Sequence, residues 1–292
     1  MAESAFQSGW VIVPAVRALR ETVYGVRTHY VAMGEGEPLV MIHGGGPGAG
    51  GQSGWSNTAP AMAKRYRVYA IDLIGSGETD KPMIEYSLQT LVEHVAVFID
   101  ALNLRQVNIM GNSQGAYVAV KYALDNPGRV KKAALISSGS IAAACGIEAP
   151  PGKRLPLPRF DGSKASLRTF MEAIVNDRSK LTDELIESRF AVASQPGHKE
   201  MLDSLQAYRK LAMADSTYGQ VWSLRDRLPQ LKIPACIIWA GNDRTAPLDP
   251  LGHELHKLAP QIAFHVVEGA GHQVQNDKPE ECNRLLADFF AR

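Results

Sequence analysis

A serine hydroxyl attacks a carbonyl at neutral pH only with a base to take its proton, an acid to orient that base, and donors to receive the oxyanion. The segment Val107-Asn108-Ile109-Met110-Gly111-Asn112-Ser113-Gln114-Gly115 offers such a serine. An apolar run breaks at Gly111, exposes Ser113, and passes after Gly115 into alanine-rich, helix-compatible sequence that ends before Pro127 and Gly128. A serine on so tight a strand-to-helix turn needs neighbours without Cβ atoms, and the flanking glycines supply them. At ordinary Gly and Ser frequencies a bare Gly-x-Ser-x-Gly arises in about one chain in ten of this length, so the strand before it and the helix after it carry the assignment.

Eight histidines compete to be the base. His272 sits in Glu268-Gly-Ala-Gly-His-Gln273, a loop between the last strand and the last helix, where open α/β sheets contact their ligands. His265 lies inside the preceding strand, His253 and His256 fall in a helical stretch, and His29, His94 and His198 have no motif around them. The acid should follow another strand end. Asp243 does so directly after 235–240, with Asp249 and Glu268 as alternatives, while Asp72 precedes the nucleophile and reads as a loop or cap residue. For the oxyanion, His43-Gly44-Gly45-Gly46-Pro47-Gly48 follows the strand 38–42, and consecutive glycines let backbone N–H groups approach a ligand. A phosphate loop is the competing idea, but no Gly-Lys-Ser/Thr follows and no Gly-x-Gly-x-x-Gly opens a helix. The oxyanion hole is therefore assigned to the N–H groups of Gln114 and Gly45, with Gly44 or Gly46 as neighbours, and His43 is read as structural.

These residues need a scaffold. Strand signals at 28–33, 38–42 and 67–71, a helical pattern at 88–102, the strand before Ser113 and another at 131–137 alternate as in a mostly parallel sheet covered by helices, an α/β fold. The character then changes. Pro150, Pro151, Pro156 and Pro158 crowd one loop, and three helix-compatible stretches, 166–176, 182–194 and 197–215, precede the next strand at 235–240. That exceeds one crossover and predicts an inserted helical lid of roughly eighty residues. The expected organisation is a core of 1–140 and 226–292 with a lid at 141–225.

With 31 basic and 30 acidic residues and no dense Lys/Arg block, neither nucleic acid nor an anionic membrane is an expected partner. A small-molecule substrate fits, and a homodimer is left open. The start lacks a basic and an apolar signal region and no stretch is apolar enough to span a bilayer, so a cytoplasmic location is expected. Cys145, Cys236 and Cys282 are odd in number and widely spaced, indicating neither a disulfide framework nor a zinc site. No metal and no organic cofactor is expected.

The chain order Ser113, Asp243, His272 is that of α/β-hydrolases, which the chain resembles along nearly all its length beyond roughly the first twenty residues. A narrower resemblance rests on His43-Gly-Gly-Gly-Pro-Gly-Ala-Gly-Gly, Trp55-Ser56-Asn57, Gly111-Asn112-Ser113 and Ser188-Arg189-Phe190. These are similar to the meta-cleavage-product hydrolases, which cut carbon–carbon bonds in ring-opened aromatics of the 2-hydroxy-6-oxohexa-2,4-dienoate type. The resemblance implies that Arg189, Asn57 and Asn112 hold the carboxylate and dienolate end of the substrate. It also implies ketonisation of the dienol before Ser113 and His272 act on the carbonyl. The chain departs from the pattern at Gln273, where tryptophan is usual, which places a smaller polar group in the pocket beside the base, and at Ala116, where a second glycine is common. A carboxylesterase or lactonase with the same triad is the rival reading.

Overall fold

The computed structural model describes residues 6–291. Eight strands form one sheet: β1 (Gln7–Arg17), β2 (Thr22–Met33), β3 (Glu37–Ile42), β4 (Tyr66–Ile71), β5 (Val107–Asn112), β6 (Val130–Ile136), β7 (Ala235–Ala240) and β8 (Ala263–Val267). Their spatial order is β1-β2-β4-β3-β5-β6-β7-β8. From β4 to β8 all neighbours are parallel, while the β1–β2 hairpin joins β4 antiparallel. Every residue of β5 and β7 is buried, as continuous apolar runs covered on both faces require.

The β1 strand is an element that the sequence reading left out. Pro14 interrupts its pattern, and a proline is tolerated there because β1 is an edge strand that can spare a ladder donor. The remaining expected strands are present within one or two residues, except that the strand expected at 28–33 begins six residues earlier, at Thr22.

Twelve helices complete the described chain. Before the nucleophile turn come α1 (Gly51–Trp55), α2 (Ala59–Met62) and α3 (Leu88–Ala101), and after it α4 (Gln114–Asp125). Between β6 and β7 lie α5 (Gly139–Ala144), α6 (Lys164–Ile174), α7 (Asp183–Ala193), α8 (His198–Ala214) and α9 (Ser216–Trp222), followed near the end by α10 (His253–Leu258), α11 (Val274–Asp277) and α12 (Pro279–Ala291). The side-chain oxygen of Ser163 caps α6, that of Thr182 caps α7, and Asp215 caps α9, which is why these helices begin where they do. The excursion between β6 and β7 is not uniform. Phe160, Leu167, Phe170, Met171, Ile174, Leu181 and Ile186 form a small core of their own, whereas Met201, Leu205, Tyr208 and Trp222 join the main core beside α3 and α4.

Strand order reverses direction at β3 and β5, where one connection runs to β4 and the next to β6. Crevices at such a switch point bind ligands beyond the carboxyl ends of the strands. The glycine loop after β3 and the turn after β5 meet there.

Two buried histidines tie the excursion and the hairpin to this region. His94 donates from Nε2 toward Thr28 Oγ1 and accepts at Nδ1 from Ile74 N–H, at 2.8 and 3.1 Å. On α8, His198 accepts at Nε2 from Gly48 N–H and its Nδ1 faces Gly75 O, at 3.0 and 2.9 Å. Burial pushes their pKa values from 6.5 down to about 3 and about 4. Below 6.5 the unfolded chain therefore binds protons that the folded chain refuses, and stability falls with pH until the folded pKa is passed. The slope is about 1.4 kcal/mol per pH unit for each histidine. Urea unfolding at about pH 7.5 and about pH 5 is expected to give a clearly lower midpoint at the acid value, and His198→Gln should flatten that dependence.

Candidate active site

Ser113 stands between β5 and α4 with φ 55° and ψ −117°, a region that residues with a Cβ rarely occupy. The strain is held by backbone contacts: Ser113 N–H donates to Ile136 O, and its own carbonyl accepts from Ser138 Oγ and from Ala116 N–H. The glycines on either side are required by close approach. A Cβ on Gly111 would lie 2.2 Å from Gly115 O, and one on Gly115 would lie 2.2 Å from Ile42 O.

His272 lies in the loop after β8, and its Nδ1 is 2.6 Å from Asp243 Oδ2. The other carboxylate oxygen of Asp243 accepts from Thr245 N–H, Thr245 Oγ1 and Ala246 N–H at 2.8 to 2.9 Å. Asp243 is almost wholly buried, and with all these donors it is fixed as an acceptor for His272 Nδ1–H, leaving Nε2 unprotonated to act as a base. The alternatives are placed elsewhere: Asp249 is exposed beside His253, and Glu268 packs against Gly241. The histidine loop is itself held by Asp277, which accepts from Gly271 N–H at 2.7 Å and from Asn176 N–H at 3.0 Å. Nothing in the sequence around Asp277 marked that role.

Gly45, Gly46, Asn112, Ser113, Gln114, His272 and Gln273 line one cavity, with Phe160, Phe170, Ile174, Met201, Leu202 and Leu205 as its apolar wall. Gly45 and Gln114, whose backbone N–H groups are expected to receive an oxyanion, both line this cavity, and Gly45 packs against the Gln114 side chain, where a Cβ would lie 2.9 Å from Oε1. His43 is turned away, facing Gly44 O with Nδ1 and accepting Leu73 N–H at Nε2, and burial lowers its pKa.

The remaining expected residues divide. Asn112 borders the cavity, but its Nδ2 donates to Ile136 O and His272 O, both at 3.2 Å, so it fastens the histidine loop to the nucleophile turn. Gln273 borders the cavity and its Oε1 accepts from Asn276 Nδ2 at 3.0 Å. Asn57 does not reach it: exposed after α1, it donates to Asn276 Oδ1 at 3.3 Å. Arg189 is buried on α7 but also does not line the cavity, because its Nη2 donates to Pro47 O at 2.9 Å and its Nε has no partner. Burial lowers its pKa to about 10, which still leaves it cationic behind the glycine loop. Two other arginines border the cavity: Arg159, which pairs with Asp203, and on α8 Arg209, whose Nη2 donates to Gln114 Oε1 at 2.6 Å. Sequence reasoning passed over Arg209 because no motif surrounds it.

A family model described as the α/β hydrolase fold matches residues 37–279. The chain belongs to the α/β-hydrolase family. It is 34% identical over 93% of its length to a 2-hydroxy-6-oxononadienedioate/2-hydroxy-6-oxononatrienedioate hydrolase of Pseudomonas putida, covering 94% of that protein. It is 33% identical over 90% of both chains to a 2-hydroxy-6-oxo-6-phenylhexa-2,4-dienoate hydrolase of Comamonas testosteroni. The solved meta-cleavage product hydrolase of Pseudomonas fluorescens shares 30% identity and superposes with a TM-score of 0.72, covering 96% of this chain and 98% of that one. The α/β-hydrolase expectation and the narrower resemblance are both borne out by these relatives. No helix among the described residues is long and apolar enough to cross a membrane.

A hydrogen-bonded Ser-His-Asp relay also lies away from Ser113 in this α/β-hydrolase. Ser8 Oγ is 2.8 Å from His29 Nε2, and His29 Nδ1 is 2.7 Å from Asp72 Oδ2. It lacks the turn of a nucleophilic site, since Ser8 is the second residue of the edge strand β1, paired opposite Val31. Asp72 also accepts from the N–H groups of Gly51 and Glu78, so the relay clips the edge hairpin to the loop after β4. Ser113→Ala is expected to lower turnover by on the order of a thousandfold or more, while Ser8→Ala retains it. A fluorophosphonate probe followed by peptide mapping checks this: label on Ser8, or label surviving Ser113→Ala, would sink the assignment.

Proposed function

We propose that the protein hydrolyses the carbon–carbon bond next to the 6-oxo group of a 2-hydroxy-6-oxohexa-2,4-dienoate-type product of aromatic ring meta-cleavage. The observation that carries the reading is the pairing of His272 with Asp243 beside a strained Ser113 in one cavity, in a chain about one third identical to hydrolases named for such substrates. The dienol is first ketonised, which places an electron sink next to the bond to be cut. His272 Nε2 then takes the Ser113 hydroxyl proton as the oxygen nucleophile adds to the 6-carbonyl, and Asp243 stabilises the imidazolium. Attack by the serine itself and attack by a water it assists both place the oxyanion toward the N–H groups of Gly45 and Gln114. As the bond breaks, its electron pair passes into the dienolate, whose oxygen then takes up a proton relayed from His272 to give the 2-hydroxydienoate. Water supplies the hydroxyl of the acid product.

The dienoate half fits the larger chamber, where Asn112, Gln273 and the Gly45–Gly46 backbone lie beside an apolar wall suited to a planar conjugated chain. Residues 141–225 serve as the lid over it. Arg189 acts as a positioning residue in this reading. By holding Pro47 O it fixes the loop that carries Gly45, and it acts with His198, which holds Gly48 N–H. The same reading gives a cytoplasmic enzyme, in keeping with three buried free cysteines, and a homodimer, for which exposed Trp10 and Ile12, on one face of β1, supply an apolar surface.

Specificity constants for a panel of ring-fission dienoates and p-nitrophenyl esters test the function. The dienoates should be preferred, and preference for esters would return the enzyme to the carboxylesterases. Arg189→Met is expected to lower kcat on a dienoate and on a neutral ester by similar factors, roughly 10-fold or more, because the oxyanion loop serves both. A loss confined to the dienoate would place Arg189 on the substrate instead.

A further inference from the structure

Ser113 and His272 do not border a single chamber. They also line a second, smaller one with Leu157 and Arg209, which are common to both, and with Gly139, Ser140, Ala143, Arg154, Met213, Trp222, Thr245 and Ala246. The two enclose about 1090 and 570 Å³ counted to their open mouths. The nucleophile therefore sits at a fork, and a substrate bound across it extends one half into each arm. The donors expected to receive the oxyanion, with Asn112 and Gln273, border only the larger arm. The smaller arm is left for the half that becomes the released acid.

That arm has an apolar stem, formed by Ala143, Met213, Trp222 and Ala246, and two cations. Arg154 donates from Nε to Thr245 O at 2.7 Å, which fixes the guanidinium while leaving both Nη groups uncommitted. Arg209 uses Nη2 on Gln114, and its shielded Nε has no partner. Neither has a carboxylate within ion-pair distance among the described residues, whereas Arg129, Arg159, Arg168 and Arg227 each do. Burial, and secondarily the charge of Arg154, lower Arg209 to about 10, so Arg209 remains cationic at neutral pH without a counter-ion. A shielded guanidinium with an unpartnered Nε is unfavourable unless an anion occupies the cavity beside it, and the exposed Arg154 borders the same cavity.

We infer that Arg154 and Arg209 form a carboxylate subsite for the leaving acid, so that the substrate is a dianion of the 2-hydroxy-6-oxodienedioate class and the acid released is a short dicarboxylic acid. The inference rests on the carbon–carbon hydrolase reading above. For a nine-carbon dioate the balance is substrate plus water giving 2-hydroxypenta-2,4-dienoate and succinate. The bond between carbons five and six breaks, water's hydroxyl joins carbon six, carbon five keeps the proton it gained from the 2-hydroxyl on ketonisation, and water's proton restores that hydroxyl.

The test compares the nine-carbon dioate with the same molecule bearing a carboxamide in place of the distal carboxylate. The wild-type enzyme should favour the dioate in kcat/KM by on the order of 10- to 100-fold, the range for a charged hydrogen-bonding pair. Arg154→Met and Arg209→Met should each shrink that ratio and together bring it near one, with Arg154→Lys restoring part of it. Arg154 is exposed, so its variant keeps the test meaningful if the Arg209 variant folds poorly. Equal kcat/KM on the two substrates in the wild type, or equal losses on both in the variants, would overturn the subsite. If no dienoate is cleaved, the function reading fails by itself, and p-nitrophenyl hemisuccinate against p-nitrophenyl butyrate still reads the subsite. Preference for the hemisuccinate that both arginine variants abolish supports it, and no preference overturns it.

Discussion

The site depends on how closely the backbone turn after β5 can approach the end of β3. Gly115 lies so near the carbonyls of Ile42 and His43 that a Cβ would fall 2.2 and 2.5 Å from them. Because β3 and β5 are neighbours in register, with Ile42 opposite Gly111, this approach fixes the glycine loop against the serine turn. Any side chain at position 115 would push α4 away from β3 and separate Gln114 from Gly45. The strained backbone of Ser113 is tolerable because the surrounding sheet over-determines it: β5 is wholly buried, and Ser113 N–H is already engaged by Ile136.

Positive charge is the second constraint. Arg189 lies behind the glycine loop and Arg209 in front of it, each with a shielded Nε that makes no bond and neither in an ion pair among the described residues. Their fields converge on the region where an oxyanion and a dienolate form, and low local polarity strengthens them there. The neighbouring histidines respond in the consistent direction. Burial is the main cause that holds His43 and His198 neutral, and the charge of Arg189 adds to it. Both can then accept backbone N–H groups, so that the loops are organised by neutral hydrogen bonds and the cations stay available to anions.

Much of this was legible in the sequence, and what was not shares one cause. The alternation of buried runs with helical patterns gave the parallel sheet because the period of each element is local information. Ser113, Asp243 and His272 were readable because each follows a strand end in a short turn motif. Asn57 was named from Trp55-Ser56-Asn57, yet it faces Asn276 on the surface, because resemblance reports spacing while the direction of a side chain depends on how α1 meets α11. Arg189 differs in the same way: its helix position is as expected, but the carbonyl of Pro47 captures its guanidinium. Arg154, Arg209 and Asp277 are joined to the site only by contacts across many residues, and no local pattern could announce them.

The Ser8-His29-Asp72 relay shows why a pattern of residue types is insufficient. Ser8-His29-Asp72 reproduces the hydrogen-bond order at distances as good as those of the pair formed by His272 and Asp243. Yet Ser8 has relaxed strand geometry, paired neighbours and solvent on its open side, so a tetrahedral adduct there would meet water rather than preorganised donors. At Ser113 the serine sits on a strained turn that ends β5 and opens α4, and Gln114, the first residue of that helix, lines a chamber with Phe160, Phe170 and Ile174. What distinguishes the candidate nucleophile from the structural clip in this chain is therefore the turn: Ser113 follows the carboxyl end of β5 and opens a helix, whereas Ser8 is paired at the start of an edge strand.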